Sequence, residues 1–166
     1  MKYQIKQTAF IFLFLFIFTS CINIPVGPEK VLPYKNVNFK SPTPGFSKTS
    51  GTPSDHSWIN DTTGSMVSYK SECSKQSLGA KDSLENITNE FYAISQTELK
   101  SFKYNSRKAY RQKLTTEVEG VNTNFDIVVF KKYGCLFLIT HTGLASNFQA
   151  TESAFQKFLA AFKVQR

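Results

Sequence analysis

The run CLFLITHT, residues 135–142, restricts the fold more than any other part of this sequence. From Cys135 to Ile139, every side chain is apolar. Successive side chains of a β-strand point to opposite faces of the sheet. A strand with apolar residues on both faces is therefore buried on both sides and belongs in the middle of a sheet. The sequence predicts a sheet with a layer of structure over each face.

Three further runs predict strands that accompany this one. Residues 107–116 form a strand-like run, residues 125–132 (FDIVVFKK) are rich in β-branched and aromatic side chains, and residues 64–73 alternate between the two faces of a strand. Only Tyr133 and Gly134 separate the run 125–132 from the central strand, which favours a tight hairpin. The last three strands are expected to form an antiparallel meander.

A helix is predicted to begin at Asp82, which has Glu85 three residues later in the spacing of a capping box. The helix is expected to end near Ser95. Its apolar stripe is formed by Leu84, Ile87, Phe91 and Ile94.

A second helix is predicted from Thr151 to Val164. Thr151 is placed to cap it, and Glu152 suits the positive end of the helix dipole. The residues expected to face the sheet are spaced at i, i+3, i+4 and i+7, namely Phe155, Phe158, Leu159 and Phe162.

The first 21 residues determine where such a chain works. Lys2 and Lys6 precede ten apolar residues, 9–18, and small residues follow. Ten residues of helix reach about 15 Å, which is half of a bilayer's hydrocarbon core. A basic start, a short apolar centre and small residues at the end are typical of a secretory signal peptide.

The segment Phe18-Thr19-Ser20-Cys21 resembles the lipobox of bacterial lipoproteins, although Phe18 stands where that family has an aliphatic residue. The resemblance implies cleavage after residue 20 and lipid attachment at Cys21. In such lipoproteins an Asp after the cysteine retains the protein in the inner membrane. Because Ile22 stands there instead, the resemblance favours the periplasmic face of the outer membrane. Secretion as a soluble product and an uncleaved anchor are the two alternatives.

Removal of residues 1–20 would leave 146 residues and lower the formal charge from +8 to +6. A basic chain favours anionic lipid headgroups, acidic glycans or an acidic envelope protein as partners. Export makes nucleic acid a poor candidate.

Three cysteines are present, and lipid on Cys21 would leave Cys73 and Cys135 as a pair. Exported chains occupy compartments where disulfides persist, so we expect a bridge between these two residues. Two buried, unpaired thiols are the alternative.

Prolines divide the mature chain, because all six fall between Pro25 and Pro53. Residues 21–35 are interpreted as an extended tether from the lipidated cysteine, and residues 36–166 as a single domain. Within it, residues 37–39 are expected to form a short edge strand, and residues 47–55 a loop.

Short segments spread over residues 36–166 resemble small bacterial envelope lipoproteins with a PsbP-like (Mog/PsbP) domain. These segments are residues 58–60, 63–65, 68–69, 71–73, 107–110, 120–121, 128–131 and 134–135, with Phe155, Phe158 and Phe162. The resemblance implies an α+β fold in which an antiparallel sheet lies in an α/β/α sandwich, with the C-terminal helix packed on the sheet. It also implies a protein that binds or stabilises partners, since this group is not recognised as a class of enzymes.

Candidate catalytic residues are few. His56 and His141 have no sequence partner that would orient them as a base, and both are interpreted as surface or strand-end polar residues. Glu117 and Glu119 suit a solvated turn better than a cation site. The sequence predicts no metal, no cofactor and no enzyme.

One concentration of positive charge is a candidate docking patch for lipid phosphates, an acidic glycan or an acidic protein. It consists of Lys103, Arg107, Lys108, Arg111 and Lys113, close to Tyr104 and Tyr110. The alternative is a charged edge strand that prevents edge-to-edge pairing.

These observations together favour a membrane-anchored, non-enzymatic binding or accessory lipoprotein of the bacterial envelope. A small envelope hydrolase and a carrier of a small apolar ligand are the alternatives.

Overall fold

The computed structural model describes residues 32–74 and 77–166. Cys21 and the rest of residues 1–31 lie outside this part, so the predicted signal peptide and lipid site do too. The elements are β1 (Val37–Asn38), β2 (Phe46–Thr49), β3 (His56–Asn60), β4 (Met66–Cys73), α1 (Ala80–Asn89), β5 (Ala93–Gln96), β6 (Lys100–Tyr104), β7 (Arg107–Val118), β8 (Val121–Lys132), β9 (Cys135–Leu144), α2 (Phe148–Ala161) and β10 (Lys163–Val164).

Eight of the strands form one antiparallel sheet in the order β2-β3-β4-β9-β8-β7-β5, and β6 pairs with the half of β7 that β5 leaves free. The apolar strand β9 lies near the middle, between β4 and β8. Phe137 and Ile139 belong to one hydrophobic core, whereas Leu136 and Leu138 pack against a second core on the opposite face. The prediction of a mid-sheet strand covered on both sides is confirmed.

Two-residue turns set the register of the meander β7-β8-β9. Tyr133 and Gly134 have φ angles of 51° and 77°, and Glu119 and Gly120 have 50° and 81°. Two successive positive φ values define the type I′ turn, whose twist matches that of the flanking strands. The tight hairpin predicted at Tyr133-Gly134 is therefore confirmed.

The larger core lies between the sheet and α2. Phe155 and Phe158 of the helix are fully buried, and Phe162, just after the helix, packs edge-on to Tyr69 and to Phe130. Burial of one such ring stabilises the fold by about 2–3 kcal/mol. These aromatic contacts hold the C-terminal helix on the sheet, as expected for the α/β/α sandwich.

The helix α1 covers the other face, with Leu84 fully buried against Leu114 and Val129. Its predicted boundaries are wrong. The helix begins at Ala80 after Gly79, with no side-chain cap, and ends at Asn89 instead of near residue 95.

The reason for the early end is that residues 93–96 form β5 on the free edge of β7. The Thr116 hydroxyl also donates a hydrogen bond to the Tyr92 carbonyl oxygen. Backbone pairing with the sheet therefore overrides the helical spacing of Ile94.

The C-terminal helix also differs from its prediction. It begins at Phe148 after Asn147, three residues before Thr151, and ends at Ala161. Thr151 is not a cap, because its hydroxyl donates to the Phe148 carbonyl within the first turn. Phe162 is extended, and the chain then forms the short strand β10.

The predicted loop 47–55 is wrong in its first part, since Phe46–Thr49 pairs with β3. The strands His56–Asn60 and Lys100–Tyr104 were not predicted from the sequence. Of the strands missed by sequence analysis, β2 (Phe46–Thr49) and β6 (Lys100–Tyr104) each pair with one neighbour only and are rich in polar residues. Such strands lack the apolar alternation that identifies a buried strand.

The chain segment that enters the domain is packed on it from Leu32 onward. The Cys73 backbone N–H donates to the Leu32 carbonyl, and the Tyr34 N–H donates to the Ser71 hydroxyl at 2.8 Å. Residues 32–35, which we expected to belong to the tether, therefore lie against the domain. The expected strand at residues 37–39 is present as Val37–Asn38, paired with β10.

Candidate functional site

The five cations of the predicted docking patch divide into two groups. All lie on β6 and β7. Lys103, Arg107 and Lys108 are exposed beside the turn that joins these strands, whereas Arg111 and Lys113 lie further along β7 and are partly covered. Arg111 and Lys113 are paired with acidic side chains, whereas Lys103, Arg107 and Lys108 form no ion pair with any described residue.

Arg111 is held by Asp126 on the neighbouring strand β8. Its Nε donates to Asp126 Oδ1 at 2.7 Å, and Nη2 donates to Oδ2 of the same carboxylate, which is fully buried. This two-pronged hydrogen bond raises the pKa of Arg111, so the guanidinium stays charged. Arg111 also lies over the Phe155 ring, 5.9 Å from its centroid. It thus links β7, β8 and α2.

Lys113 joins the same network from two residues away. Its Nζ donates to Glu152 Oε1 of α2 at 2.6 Å and lies 3.7 Å from Asp126 Oδ2. The hydrogen bond from Lys113 lowers the pKa of Glu152. Arg111 and Lys113 therefore attach the C-terminal helix to the sheet, and their charge is already balanced by Asp126 and Glu152.

The exposed group lies around the Asn105-Ser106 turn. Lys103 and Lys108 are directly opposite each other on β6 and β7, and Tyr104 is opposite Arg107. Like charges in opposed positions repel each other, so this arrangement leaves a positive surface that an anion would stabilise. With Ser101, Phe102 and Ser106, these three cations line a shallow depression of about 340 Å³.

Two further lysines lie at this end of the sheet, and sequence analysis missed them as part of the surface. Lys131 donates to the Ser77 carbonyl at 2.8 Å, and Lys132 donates to the Val164 carbonyl at 2.8 Å. Both acceptors are neutral, so the positive charges remain. The β7–β8 register, in which Ala109 is opposite Phe130, places them beside the exposed group. The hairpin predicted at residues 133–134 was the signal that could have located them.

We call this end of the sheet the basic end. It carries Lys103, Arg107, Lys108, Lys131 and Lys132. None of these five cations forms an ion pair with any residue in the ranges 32–74 and 77–166. The end is therefore electropositive.

The disulfide lies at the basic end as well. Cys73 and Cys135, at the end of β4 and the start of β9, are opposite each other in the sheet and are bonded, with Cα atoms 4.1 Å apart. Leu32 forms an isolated bridge with Cys73. The described chain thus begins at the same end of the sheet as the disulfide.

The opposite end of the sheet has the other sign of charge. Glu117 and Glu119 are exposed at the β7–β8 turn, and Asp61 is exposed at the β3–β4 turn. No group of metal-ligating side chains occurs among the described residues. The domain is therefore polarised along its strands, from the basic end to this acidic rim.

His141 was expected at a surface or strand end, and this expectation is wrong. It lies fully buried in β9 under α2, stacked on Phe148 with ring centroids 4.2 Å apart. Its Nε2 is 2.8 Å from the Thr151 hydroxyl, whereas Nδ1 has no hydrogen-bond partner among the described residues. Burial lowers the pKa of His141 to about 4, against the opposing effect of Asp126, so the ring is neutral near pH 7.

The pair His141–Thr151 lacks the arrangement of a base and a nucleophile. A catalytic base is usually oriented by a third group, but Asp126 directs its oxygens to Arg111. The Thr151 hydroxyl donates to the Phe148 carbonyl inside the protein. His141 therefore fills a core position rather than a site open to substrate.

His56 is half-buried in an aromatic cluster at the start of β3. Its ring stacks on Trp58 and Tyr69 at 5.8 and 5.3 Å and packs beside Phe39. Burial lowers the pKa of His56. These contacts place the residue in the packing between the sheet and the entering chain.

Two adjoining cavities lie along the edge where β7 meets α2. The larger, of about 430 Å³, is lined by residues of β5, β7 and β8, and the smaller, of about 250 Å³, by Lys100, Arg111, Lys113 and Glu152 among others. Neither cavity has a histidine or a cysteine in its lining. The lining residues of these two cavities therefore include neither a histidine base nor a cysteine nucleophile for a hydrolase.

Comparison with known proteins identifies the fold. No protein-family model and no curated protein matches the sequence. The chain is similar in structure to cyanobacterial PsbP (CyanoP) from Synechocystis sp. PCC 6803, with a TM-score of 0.51, 14% identity, and coverage of 84% of this chain and 95% of that one. The fold is PsbP-like.

A second solved structure with this PsbP-like fold is LpqN, which is involved in cell envelope biogenesis of Mycobacterium tuberculosis. The TM-score is 0.62 at 6% identity, over 82% of this chain and 91% of LpqN. At such identities the likeness establishes architecture alone.

In the part of the chain described, neither helix has the length and apolar character needed to cross a membrane.

Proposed function

We propose that the mature chain begins at a lipid-modified Cys21 and acts as a non-enzymatic binding or accessory module of the bacterial cell envelope. In this proposal, the signal peptide 1–20 directs export and the acyl chains hold the protein at the membrane. Two acyl chains suffice for stable anchoring, because each buried methylene contributes about 0.8 kcal/mol. The outer membrane, on its periplasmic face, is the proposed location.

The pairing of Cys73 with Cys135 is the observation that carries this proposal. Disulfides persist in exported proteins and are rare in the reducing cytosol. Of the three cysteines, two are consumed by the bridge. Cys21, which follows small residues in a lipobox-like segment, is left for acylation.

The PsbP-like fold supports an accessory role. LpqN has the same architecture and takes part in cell envelope biogenesis. Unrelated functions can share a fold, so the surface of this chain has to define its own partner. In this proposal the partner binds at the basic end, whose cations on β6 and β7 are exposed, rather than at His141, which is buried.

Metabolic labelling with palmitate in the native host tests the anchor. We expect label on the wild-type chain, and mass spectrometry should find a mature protein that begins at modified Cys21. The Cys21→Ser variant should lose the label. The double variant Cys73→Ser/Cys135→Ser should keep it, because those thiols are bridged in the folded protein. An intact leader with an unmodified Cys21 would overturn the proposal.

Complementation tests the accessory role. A strain that lacks the gene should show altered sensitivity to detergents, and the wild-type chain should restore normal growth. Cys21→Ser should restore it poorly, because the domain is no longer concentrated at the membrane. Full restoration by this variant would contradict a function that depends on anchoring.

A further inference from the structure

The N-terminal segment of the described chain enters the domain at the basic end. Tyr34 contacts Ser71, whereas Leu32 contacts Cys73 further along the same strand. Followed from Tyr34 back to Leu32, the chain therefore lies along β4 and reaches its last residue, Cys73. Tyr34 also stacks on Tyr133 of the β8–β9 turn, with ring centroids 6.1 Å apart. A membrane attached through Cys21 is connected to the domain at this end and no other.

The connection is short. Residues 21–31 are the only part of the mature chain before Leu32, and at full extension they reach at most about 40 Å. The acidic rim lies at the far ends of β7 and β8, strands of 12 residues each. Because the tether joins the domain at the basic end, bringing this end to the bilayer needs less of the tether's reach than bringing the acidic rim there.

Five cations lie at this end without acidic partners in the described ranges, and two large side chains accompany them. Phe102 and Tyr133 are 37% and 42% exposed. Cations attract anionic headgroups over a Debye length of about 8 Å at physiological salt, and aromatic side chains favour the interfacial region of a bilayer. The unpaired positive charges, the exposed aromatic side chains and the point where the tether joins the domain thus all lie at the basic end.

From this coincidence we infer that the basic end docks on the anionic phospholipid headgroups of the membrane that carries the anchor. The inference rests on the proposed anchoring and adds an orientation to it. The sheet stands with its strands rising from the bilayer, and the acidic rim points away from the membrane. Lys103, Arg107 and Lys108 contact lipid phosphates, and Phe102 and Tyr133 lie at headgroup level.

Neutron reflectometry on supported bilayers tests the docking. The mature lipidated chain would be purified from its host and reconstituted in phosphatidylcholine alone or with 30% phosphatidylglycerol. We expect a protein layer in direct contact with the headgroups on the anionic bilayer and a solvent gap on the zwitterionic one. The variant Lys103→Gln/Arg107→Gln/Lys108→Gln should restore the gap.

A matched control removes the same charge elsewhere. Lys40, Lys48 and Lys157 are also exposed but lie outside β6 and β7, and their triple Gln variant should dock as the wild type does. An equal gap on both bilayers, or equal effects of the two triple variants, would overturn the inference.

The same protein separates this inference from the anchor. If mass spectrometry finds Cys21 unmodified, the anchor fails, and the chain as purified from its host is sedimented with vesicles of the two compositions. Binding to phosphatidylglycerol vesicles should then fall about 100-fold in the patch variant at low salt, at about five-fold for each cation. Equal binding to both vesicle types would overturn the docking.

Discussion

Arg107 and Arg111 differ in role although they lie on one face of the same strand. Arg111 meets the buried Asp126 and is held in a two-pronged ion pair, whereas Arg107 is exposed at the turn. The partner decides between the two, and Asp126 lies 15 residues away in the sequence. Neighbouring positive residues in a sequence therefore need not form one binding patch.

Replacing Arg111 should destabilise the domain much more than replacing Arg107. Arg111→Ala leaves Asp126 buried without a hydrogen-bonded counter-ion, because Lys113 lies 3.7 Å away and donates to Glu152 instead. We expect a loss of about 3 kcal/mol in the free energy of unfolding. Arg107→Ala is the matched control, with an expected change within about 0.5 kcal/mol. Urea denaturation measures both, and equal losses would contradict the assigned roles.

Burial of His141 makes stability depend on pH. The unfolded chain binds a proton on this residue near pH 6.5, whereas the folded protein does so only near pH 4. The stabilising contribution is therefore complete above pH 6.5 and is lost as the pH falls toward 4. The full difference corresponds to about 3 kcal/mol.

Urea denaturation at pH 7 and pH 4.5 measures this dependence. We expect the wild type to lose about 2–3 kcal/mol between these values, and His141→Gln, which can still donate to Thr151, to lose much less. Glu152 faces His141 from α2, and its lowered pKa affects stability mainly below pH 4.5. His56→Gln should retain most of the dependence, and a wild type with flat stability would contradict the prediction.

At the scale of elements, α1 shows how a strand edge shortens a helix. Ile94 continues the apolar spacing of Leu84, but it belongs to β5 and its side chain is 60% exposed. The backbone of residues 93–96 pairs with β7, which would otherwise present unpaired N–H and C=O groups. Residues 93–96 therefore form a strand rather than a further turn of helix, because their pairing partner is β7, where Thr115 lies opposite Ser95.

Two alanine substitutions test this assignment. Leu84→Ala removes a fully buried side chain between α1 and the sheet, and we expect a loss of 2–4 kcal/mol. Ile94→Ala, in the same predicted stripe, should change stability by less than about 0.5 kcal/mol. If the two losses were similar, the helix would have to extend as the sequence pattern indicates.

The elements that could be predicted from sequence are those with local signals. The two-sided apolar pattern of CLFLIT placed β9, and Tyr133-Gly134 placed its hairpin, because each depends on neighbouring residues. Strands β2 and β6 could not be predicted, since their polar side chains carry no alternation. The candidate site was located only in part: Lys103, Arg107 and Lys108 were identified, whereas Lys131 and Lys132 join them through strand register.

At the scale of the whole molecule, the bridge Cys73–Cys135 closes a large loop. The two residues are 62 positions apart and join β4 to β9. Loss of the bridge should destabilise the domain by about 4 kcal/mol through the entropy of the unfolded chain. Urea denaturation of Cys73→Ser/Cys135→Ser measures the loss, and Cys21→Ser is the control. An unchanged midpoint in the double variant would contradict the prediction.

The pairing of β1 with β10 also places both ends of the described chain side by side. Val37 is opposite Val164, and the Tyr34 hydroxyl donates to the Gln165 carbonyl at 2.6 Å. If the basic end docks on lipid as inferred above, a fluorescent protein or affinity tag fused after Arg166 would be crowded against the headgroups. An insertion between Glu119 and Gly120 would project into open solvent instead, which makes this turn the better site for a reporter.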